Sequence, residues 1–591
     1  MRKTKIICTI GPATSDEKIL REMILSGMNV ARLNFSHGTH EDHLVLVNLI
    51  KKVRKELGVP VGILLDTKGP EIRTKLFKDN QAELITGEEV TILHEDVLGD
   101  STKFSVTYKD IANDLKVGST ILIDDGLISL KVREIKGKDL VCTVTNGGVI
   151  SNNKSINLPG VALNLPSLTA QDEADIKFAV ENEIDFIAGS FIRKAADVLA
   201  IRRILKSENC ETIDIIAKIE NQEGVNNFEN ILQVSDGVMV ARGDLGVEIP
   251  EYEVPTIQKQ LIRSAFQSGK ISITATEMLD SMIRNPRPTR AEVSDVANAV
   301  IDGTSAIMLS GETAMGKYPV ESLRTMVKIA SHTENKQDYW AAFKQMDFDV
   351  SKNVADAVSH ACCSAAYELD AKAIVAISHS GRTARLVSRF RPSCPIVTLT
   401  VSESVCYRLA LSWGVDPYKI DILTETDHLF EKAEQLCERE GYAENGDTLV
   451  ISCGTPVGIS GTTNTMKITT VGESLTKGIP IHSGHSVERI SGDVFNYTEF
   501  SDGENRTISI EEGLSEFQKG NIFVAKSSDQ SMLPYIRNSK AVIVEDQDPE
   551  GHAVTVCEAL QIPLIYSAES ATQLIKHGQN IVVDMVTGII S

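Results

Sequence analysis

Eight short apolar runs punctuate this chain, each followed by a stretch of helical periodicity. They are Ile6–Ile10, Val30–Leu33, Val61–Leu65, Phe186–Ser190, Ile213–Ile216, Gly237–Val240, Ile271–Thr274 and Ala306–Leu309. Ile271–Thr274 aside, none alternates polar with apolar as a half-exposed strand does, so the set is expected to be covered on both faces. Thr14–Glu17, Thr169–Asp172 and Thr289–Glu292 read as capping boxes or close variants that open helices. The alternation predicts an α/β chain built on a (β/α)8 barrel, with a doubly wound open sheet as the alternative.

The order breaks between Pro70 and about Pro166. There Val90–Leu93, Thr120–Ile123, Leu127–Val132 and Leu140–Thr145 are separated by Asp-Gly and Gly-Gly turn signals. This predicts a small antiparallel domain inserted after the third barrel strand, placed to close over a site as a lid. After a connecting segment at 334–350, a second α/β region opens with a helix over 353–369 and a strand over 373–377. Polar strand-like segments to about Ser509 precede a compact α/β pattern whose apolar runs are Ile522–Ala525, Ala541–Val544, Leu564–Tyr566 and Ile581–Val583. The expected domains are 1–69 with 169–340, 70–168, 350–472 and 473–591.

Chemistry gathers where the fifth and sixth runs end. Lys218 and Glu220 are two apart and project from one face of a strand, and one helix later Asp244 follows the next strand. An ammonium and two carboxylates at the carboxyl ends of neighbouring parallel strands suit a hard divalent cation and a phosphoryl group or enolate. Arg32 near the end of the second run, and Asn34, Asp66 and Thr276 just past the ends of runs, lie at the end of a barrel that carries active sites. Further on, Ser378, Ser380, Gly381, Arg382 and Thr383 form a turn into a helix whose hydroxyls, glycine and arginine suit an anion. The loop 454–464 repeats that chemistry.

The totals narrow the partners. A net charge of −21 argues against nucleic acid, while leaving room for an anionic substrate held by local cations. Ten cysteines without a C-x-x-C pair fit a reducing cytosol, and no apolar run is long enough to span a membrane. The expected location is cytoplasmic.

Taken in order, the motifs resemble those of pyruvate kinases over residues 4–472. They are Arg32–Gly38, Leu65–Arg73, Asn157–Gly160, Ala217–Asn221, Val240–Gly246, Thr274–Met282, Asn285–Arg290 and Met308–Ala314. The resemblance implies phosphoryl transfer from phosphoenolpyruvate to ADP, giving pyruvate and ATP. It makes Lys218 the group that stabilises the transferring phosphoryl, and Glu220 and Asp244 ligands of Mg²⁺ (or Mn²⁺). Arg32, Asp244, the Gly243 backbone and the Thr276 hydroxyl belong with phosphoenolpyruvate, and Thr276 with delivery of a proton to the enolate. Arg73 and Lys154 match nucleotide contacts, and Asn34, Ser36, Asp66 and Thr67 a K⁺ site. Glutamate at 71, rather than lysine, goes with K⁺ dependence. The resemblance further implies a homotetramer, activated by a phosphorylated metabolite at the 378–383 turn.

Three positions depart from the family pattern: Glu277 for glutamine, Gly189 for alanine and Ser155 for glycine. The tail resembles a phosphohistidine swivelling domain with His552 at the phosphorylated position. Glu550-Gly551 replaces the usual Thr-Ser there, and like charge at Glu550 opposes a phosphohistidine, so a structural or regulatory tail is expected. Two other readings are a metal-dependent barrel lyase or mutase and a metabolite-sensing scaffold.

Overall fold

A computed structural model describes residues 2–345, 353–421, 426–455, 463–472, 475–481, 489–500 and 517–591. The chain divides into two compact units. The first comprises Met1–Cys363, Ala376–Ile422 and Cys453–Asn464, and the second Ser364–Val375, Leu423–Ser452 and Thr465–Ser591.

In the first unit all eight apolar runs are strands: β1 (Lys5–Thr9), β2 (Val30–Asn34), β3 (Gly62–Asp66), β4 (Phe186–Gly189), β5 (Asp214–Ile219), β6 (Gly237–Ala241), β7 (Ile271–Ala275) and β8 (Ala306–Leu309). Each pairs in parallel with the next, and β8 pairs with β1, so the sheet closes and the open-sheet alternative is set aside. The lack of alternation in seven of the eight runs has a simple cause. Odd and even side chains enter different apolar surroundings: Ile7, Val30, Leu64, Ile216 and Met239 fill the barrel, while Ile6, Ala31, Ile63, Ile215 and Val238 pack outward against the helices.

Thr169 and Thr289 cap their helices reciprocally with Asp172 and Glu292, as expected. The first helix differs. It begins at Glu17, and Asp16 caps it by accepting from the backbone of Lys18 and Ile19. Thr14 instead donates to the Thr313 carbonyl at 3.0 Å, because a carboxylate one residue before the helix is the better placed acceptor.

The inserted segment forms a seven-stranded sheet and a separate two-stranded one, Gln81–Leu84 with Gly148–Ser151. Its pairings are antiparallel, except that Glu89–Leu93 runs parallel to Lys103–Ser105. The chain returns to the barrel under a clasp. The Arg193 guanidinium donates to the carbonyls of Leu163 (3.0 Å), Leu165 (3.0 Å) and Pro166 (3.1 Å). Parallel strands Ile396–Thr400 and Val415–Lys419 also belong to this unit. Arg385 from the preceding helix, Arg382–Arg389, pairs with Asp214 at the start of β5.

The second unit holds an eight-stranded sheet, and all four apolar runs foreseen in the tail lie on its strands. Arg489–Asn496, Ile522–Ala525, Ala541–Val544 and Leu564–Tyr566 run parallel at its centre. Phe495, Phe523 and Tyr535 stack over one face, while Ile490, Val494, Ile543 and Val583 fill the other. Arg489 ties this sheet to Asp447 at 2.6 Å. Among the described residues no helix is long and apolar enough to cross a membrane.

Candidate active site

Period-two geometry carries the barrel's inner face past its apolar filling to a charged end. Continuing inward positions from Leu64, Ala188 and Ile216 gives Asp66, Ser190, Lys218 and Glu220. The four meet. Lys218 Nζ lies 2.8 Å from Ser190 Oγ, 2.9 Å from Glu220 Oε1 and 3.1 Å from Asp66 Oδ1. Arg32, inward on β2, donates from Nε to Asp66 Oδ2 at 2.7 Å and from Nη1 to Thr9 Oγ1 at 2.9 Å.

The charges set one another. Burial works against the ammonium of Lys218, but Asp66 and Glu220 outweigh it and hold its pKa above the ordinary lysine value. Burial likewise penalises the Asp66 carboxylate, yet Lys218 and Arg32 bring its pKa below normal. Glu220 goes the other way. Burial raises its pKa against the pull of Lys218, and the neighbouring charge of Asp244 adds to the rise. Asp244 is raised too, by burial first and then by Asp125 and Glu71. Glu220 Oε2 accepts from the Phe191 backbone at 2.5 Å, while Oε1 is buried with no partner in hydrogen-bond geometry. The buried Glu220 and the half-buried Asp244, close enough that the charge of Asp244 raises the Glu220 pKa, fit a divalent cation that takes two protein oxygens and the rest from substrate. Among the described residues no group of three or more acids, histidines or cysteines gathers into a cage, so full coordination by the protein is not built in.

The strand end after β7 is strained. Thr276 and Glu277 have φ of +68° and +56°, a region that β-branched residues rarely adopt. The strained turn is held by hydrogen bonds: Gly243 N donates to Thr276 Oγ1 at 2.8 Å, and Arg242 donates to the carbonyls of Ala275 (3.1 Å) and Thr276 (2.6 Å). Asp295 fixes Arg242 at 2.7 Å. The Glu277 carboxylate is exposed.

The expected monovalent-cation set is only partly assembled by direct contacts. Asn34 and Asp66 are register partners across β2 and β3, and Ser36 N donates to Asn34 Oδ1 at 3.2 Å. The Thr67 hydroxyl donates to the Ala188 carbonyl (3.3 Å) and accepts from Ser190 N (3.1 Å). Arg73 and Lys154 sit on the lid, away from Lys218. Arg73 Nε donates to Glu71 at 2.7 Å and Lys154 Nζ to Asp124 at 2.8 Å. Glu71, Asn157, Asp244 and Glu248 line a cleft of about 220 Å³ between lid and barrel.

The Gly189 departure has a packing reason. A methyl group there would stand 2.7 Å from Ile201 Cδ1, so this chain's isoleucine fills the space an alanine needs. Ser155 exchanges hydrogen bonds with Asp125 at 2.9 and 3.2 Å. At the 378–383 turn, Gly381 takes φ +82° and opens the helix, Arg382 is exposed, and Thr383 pairs with Thr463 at 2.7 Å. Residues 456–462 of the companion loop lie outside the described residues. In the tail, the Ser528 hydroxyl meets His552 Nδ1 at 2.8 Å.

Ser190 and Arg242 were not singled out from sequence. Ser190 was legible by counting inward from Ala188. Arg242, inside the Arg-Gly-Asp run, has no signal in sequence that distinguishes a carbonyl clamp from a surface cation.

A closed parallel barrel with a lysine, two carboxylates and a strained threonine at its carboxyl end defines the class: a (β/α)8-barrel enzyme with a lid inserted after its third strand. Residues 1–323 match the pyruvate kinase barrel domain, 356–469 the pyruvate kinase alpha/beta domain, and 517–588 the mobile domain of PEP-utilising enzymes. The chain is 45% identical to a pyruvate kinase of Sporosarcina psychrophila over all of its own length and 99% of that protein. It is 46% identical to one of Geobacillus stearothermophilus over 99% and 97%. A Clostridium acetobutylicum pyruvate kinase is 49% identical over its whole length but covers 80% of this chain. The crystal structure of a pyruvate kinase from Cryptosporidium parvum superposes with a TM-score of 0.77 at 40% identity, covering 80% of this chain and 96% of that one. The chain belongs to the pyruvate kinase family. It is a transferase whose substrates are phosphoenolpyruvate and ADP, and the family is metal-dependent.

Proposed function

We propose that Lys218 is the centre of phosphoryl transfer and that activity is raised by a phosphorylated metabolite bound at the 378–383 turn. The observation that carries the first part is the buried meeting of Lys218 with Ser190, Asp66 and Glu220. An ammonium held charged and fixed by three oxygens can meet negative charge developing on a phosphoryl group without reorganising.

The remaining roles follow the chemistry of each group. Arg32, locked on Asp66, presents a guanidinium to the phosphate of phosphoenolpyruvate. The Gly243 N–H and the Thr276 hydroxyl orient its carboxylate. Thr276 Oγ1 donates to the Ala275 carbonyl at 2.6 Å; turned outward, that hydroxyl would orient a water that gives its proton to the enolate carbon, the resulting hydroxide taking a proton from solvent while the threonine stays neutral. Arg73 and Lys154 leave Glu71 and Asp124 for the phosphates of ADP as the lid closes.

Glu220 and Asp244 would hold Mg²⁺ (or Mn²⁺), and Asn34, Ser36, Asp66 and Thr67 would hold K⁺. When bound, these cations supply positive charge to the phosphoryl oxygens. Glu71 stands close enough to raise the Asp244 pKa, which supports an acid rather than a fixed cation at that edge of the site.

The domain divisions 1–69 with 169–340, 70–168, 350–472 and 473–591 belong to this proposal, as do a homotetramer, a cytoplasmic location and a structural or regulatory tail. Engagement of His552 Nδ1 by Ser528 supports the last. Replacing Arg382 with alanine tests the effector reading. Activation by a sugar phosphate or AMP is expected to vanish while the fully activated rate survives; unchanged activation would refute the assignment.

A further inference from the structure

The end of the barrel opposite Lys218 carries its own charge anomaly. Residues that open β6, β7 and β8 face the segment after Arg382–Arg389 across a cleft of about 30 Å³. Lys270, Arg385, Arg389 and Arg391 line it, against one carboxylate, Asp236. The nearby acids are already engaged. Asp236 takes Arg202 at 2.7 Å, Asp214 takes Arg385 and lies 3.8 Å from Arg408, and Asp356 is 3.8 Å from Arg389. Glu334, whose charge also reaches Arg391, accepts from the backbone of Lys3 (2.8 Å) and Thr4 (2.6 Å). Six cations thus share Asp214, Asp236 and Asp356, with Glu334 reaching Arg391 by its charge alone, in a chain whose net charge is −21. Gathering like charges in a mostly buried place is unfavourable unless a counter-charge joins them.

Hydrogen-bonding atoms point the same way. Ser412 lines the cleft, is 3% exposed, and its Oγ has no hydrogen-bond partner in the protein. The Arg385 Nε is likewise without one. The cationic groups are held in place rather than loose. Lys270 Nζ donates to the Ser235 carbonyl at 2.7 Å, and the Arg391 guanidinium lies 4.5 Å from the Trp413 ring and donates to the Gly303 carbonyl at 2.8 Å.

We propose that this cleft binds one small oxyanion of the phosphate class, held by Lys270, Arg391 and the Ser412 hydroxyl. A multiply charged acceptor matches cations converging from the barrel and from the Arg385–Trp413 stretch. The volume admits about two waters' worth of ligand, so only a phosphate-sized group enters. The free ion and the phosphoryl group of a larger metabolite share this chemistry. The site uses none of the residues of the 378–383 turn.

Trp413 provides a local reporter, because the chain has two tryptophans and Trp340→Phe leaves it alone. The emission of the full-length Trp340→Phe protein is followed against inorganic phosphate, with chloride at matched ionic strength as the blank. A saturating change is expected. Lys270→Met should raise the half-saturating concentration roughly tenfold, and Ser412→Ala, which removes only an unpartnered hydroxyl, roughly fivefold. Arg382→Ala should leave it unchanged, which separates this site from the effector turn. A hexose phosphate that saturates the change at lower concentration identifies a metabolite's phosphoryl group; one without effect identifies the free ion. No change beyond chloride, or a change that Arg382→Ala abolishes and Ser412→Ala leaves alone, would overturn the proposal.

Discussion

Arg242 Nη2 donates to the Thr276 carbonyl at 2.6 Å, from the residue that immediately precedes the Gly243 amide bonded to the same threonine's hydroxyl. One side chain and one backbone group from the end of β6 therefore hold a left-handed threonine at the end of β7. Arg242→Ala removes bonds to two carbonyls and is expected to destabilise the turn by about 2–3 kcal/mol. We expect kcat to fall at least tenfold while Arg242→Lys recovers part of the loss, measured by steady-state kinetics on variants with unchanged circular dichroism. A normal kcat in Arg242→Ala would show that Thr276 keeps its conformation without the clamp.

Ser190 joins three groups: its oxygen accepts from Lys218, and its hydroxyl reaches both the Thr67 carbonyl (2.6 Å) and Asp66 (3.2 Å). Alanine at 190 leaves the Lys218 ammonium with two of its three oxygen neighbours. The expected result is a fall in kcat of roughly ten- to a hundredfold, about 1.5–3 kcal/mol for one charge-assisted bond, with KM for ADP little changed. A change confined to KM would argue that the hydroxyl serves binding alone.

Gly189→Ala is expected to destabilise the barrel by about 1–3 kcal/mol, since the new methyl group meets Ile201 at 2.7 Å. Ile201→Val should reverse much of that cost in the double variant, seen as recovery of the denaturation midpoint. Additive losses in the two substitutions would contradict the packing explanation.

Glu292 accepts from Ser281 N (2.7 Å), Ser281 Oγ (2.6 Å) and Thr289 N (2.7 Å). Burial opposes its ionisation, but these bonds outweigh burial and lower its pKa. A lowered carboxyl contributes stability above the unfolded pKa, about 4.3, and loses it as pH falls through the folded value. Glu292→Gln turns an amide N–H toward these donors and should lower the melting temperature at pH 7. The gap to the unmodified protein is expected to narrow below about pH 4. A gap independent of pH would assign the effect to shape rather than charge.

The barrel was legible because eight apolar runs of strand length alternate with helical patterns, and because Lys218 and Glu220, two apart, had to share a face. The same counting rule reaches Ser190 from Ala188, yet a serine at a strand end carries no chemical signal until Lys218 is placed beside it. Gln81–Leu84 was not read as a strand although Gln-Ala-Glu-Leu alternates polar with apolar, because four residues with one buried side chain are too short a signal, and pairing with Gly148–Ser151 defines it. Thr14 misled because a hydroxyl three residues before a glutamate fits a capping box, while Asp16 is nearer the first helical turn. Arg242 and Arg193 work through backbone carbonyls, which every sequence has, so their partners exist only in the fold. Arg73 and Lys154 bind Glu71 and Asp124 for a similar reason: nearby acids satisfy exposed cations unless a stronger anion is present.

Whether Lys218 carries the transfer is tested by comparing pyruvate formation from phosphoenolpyruvate and ADP by the unmodified protein and by Lys218→Met. Both are assayed with saturating Mg²⁺ and K⁺, and with folding verified. Loss of the fixed ammonium should lower kcat by about a thousandfold or more, the scale of removing a preorganised electrostatic group. Turnover within about tenfold of the unmodified protein would contradict the account.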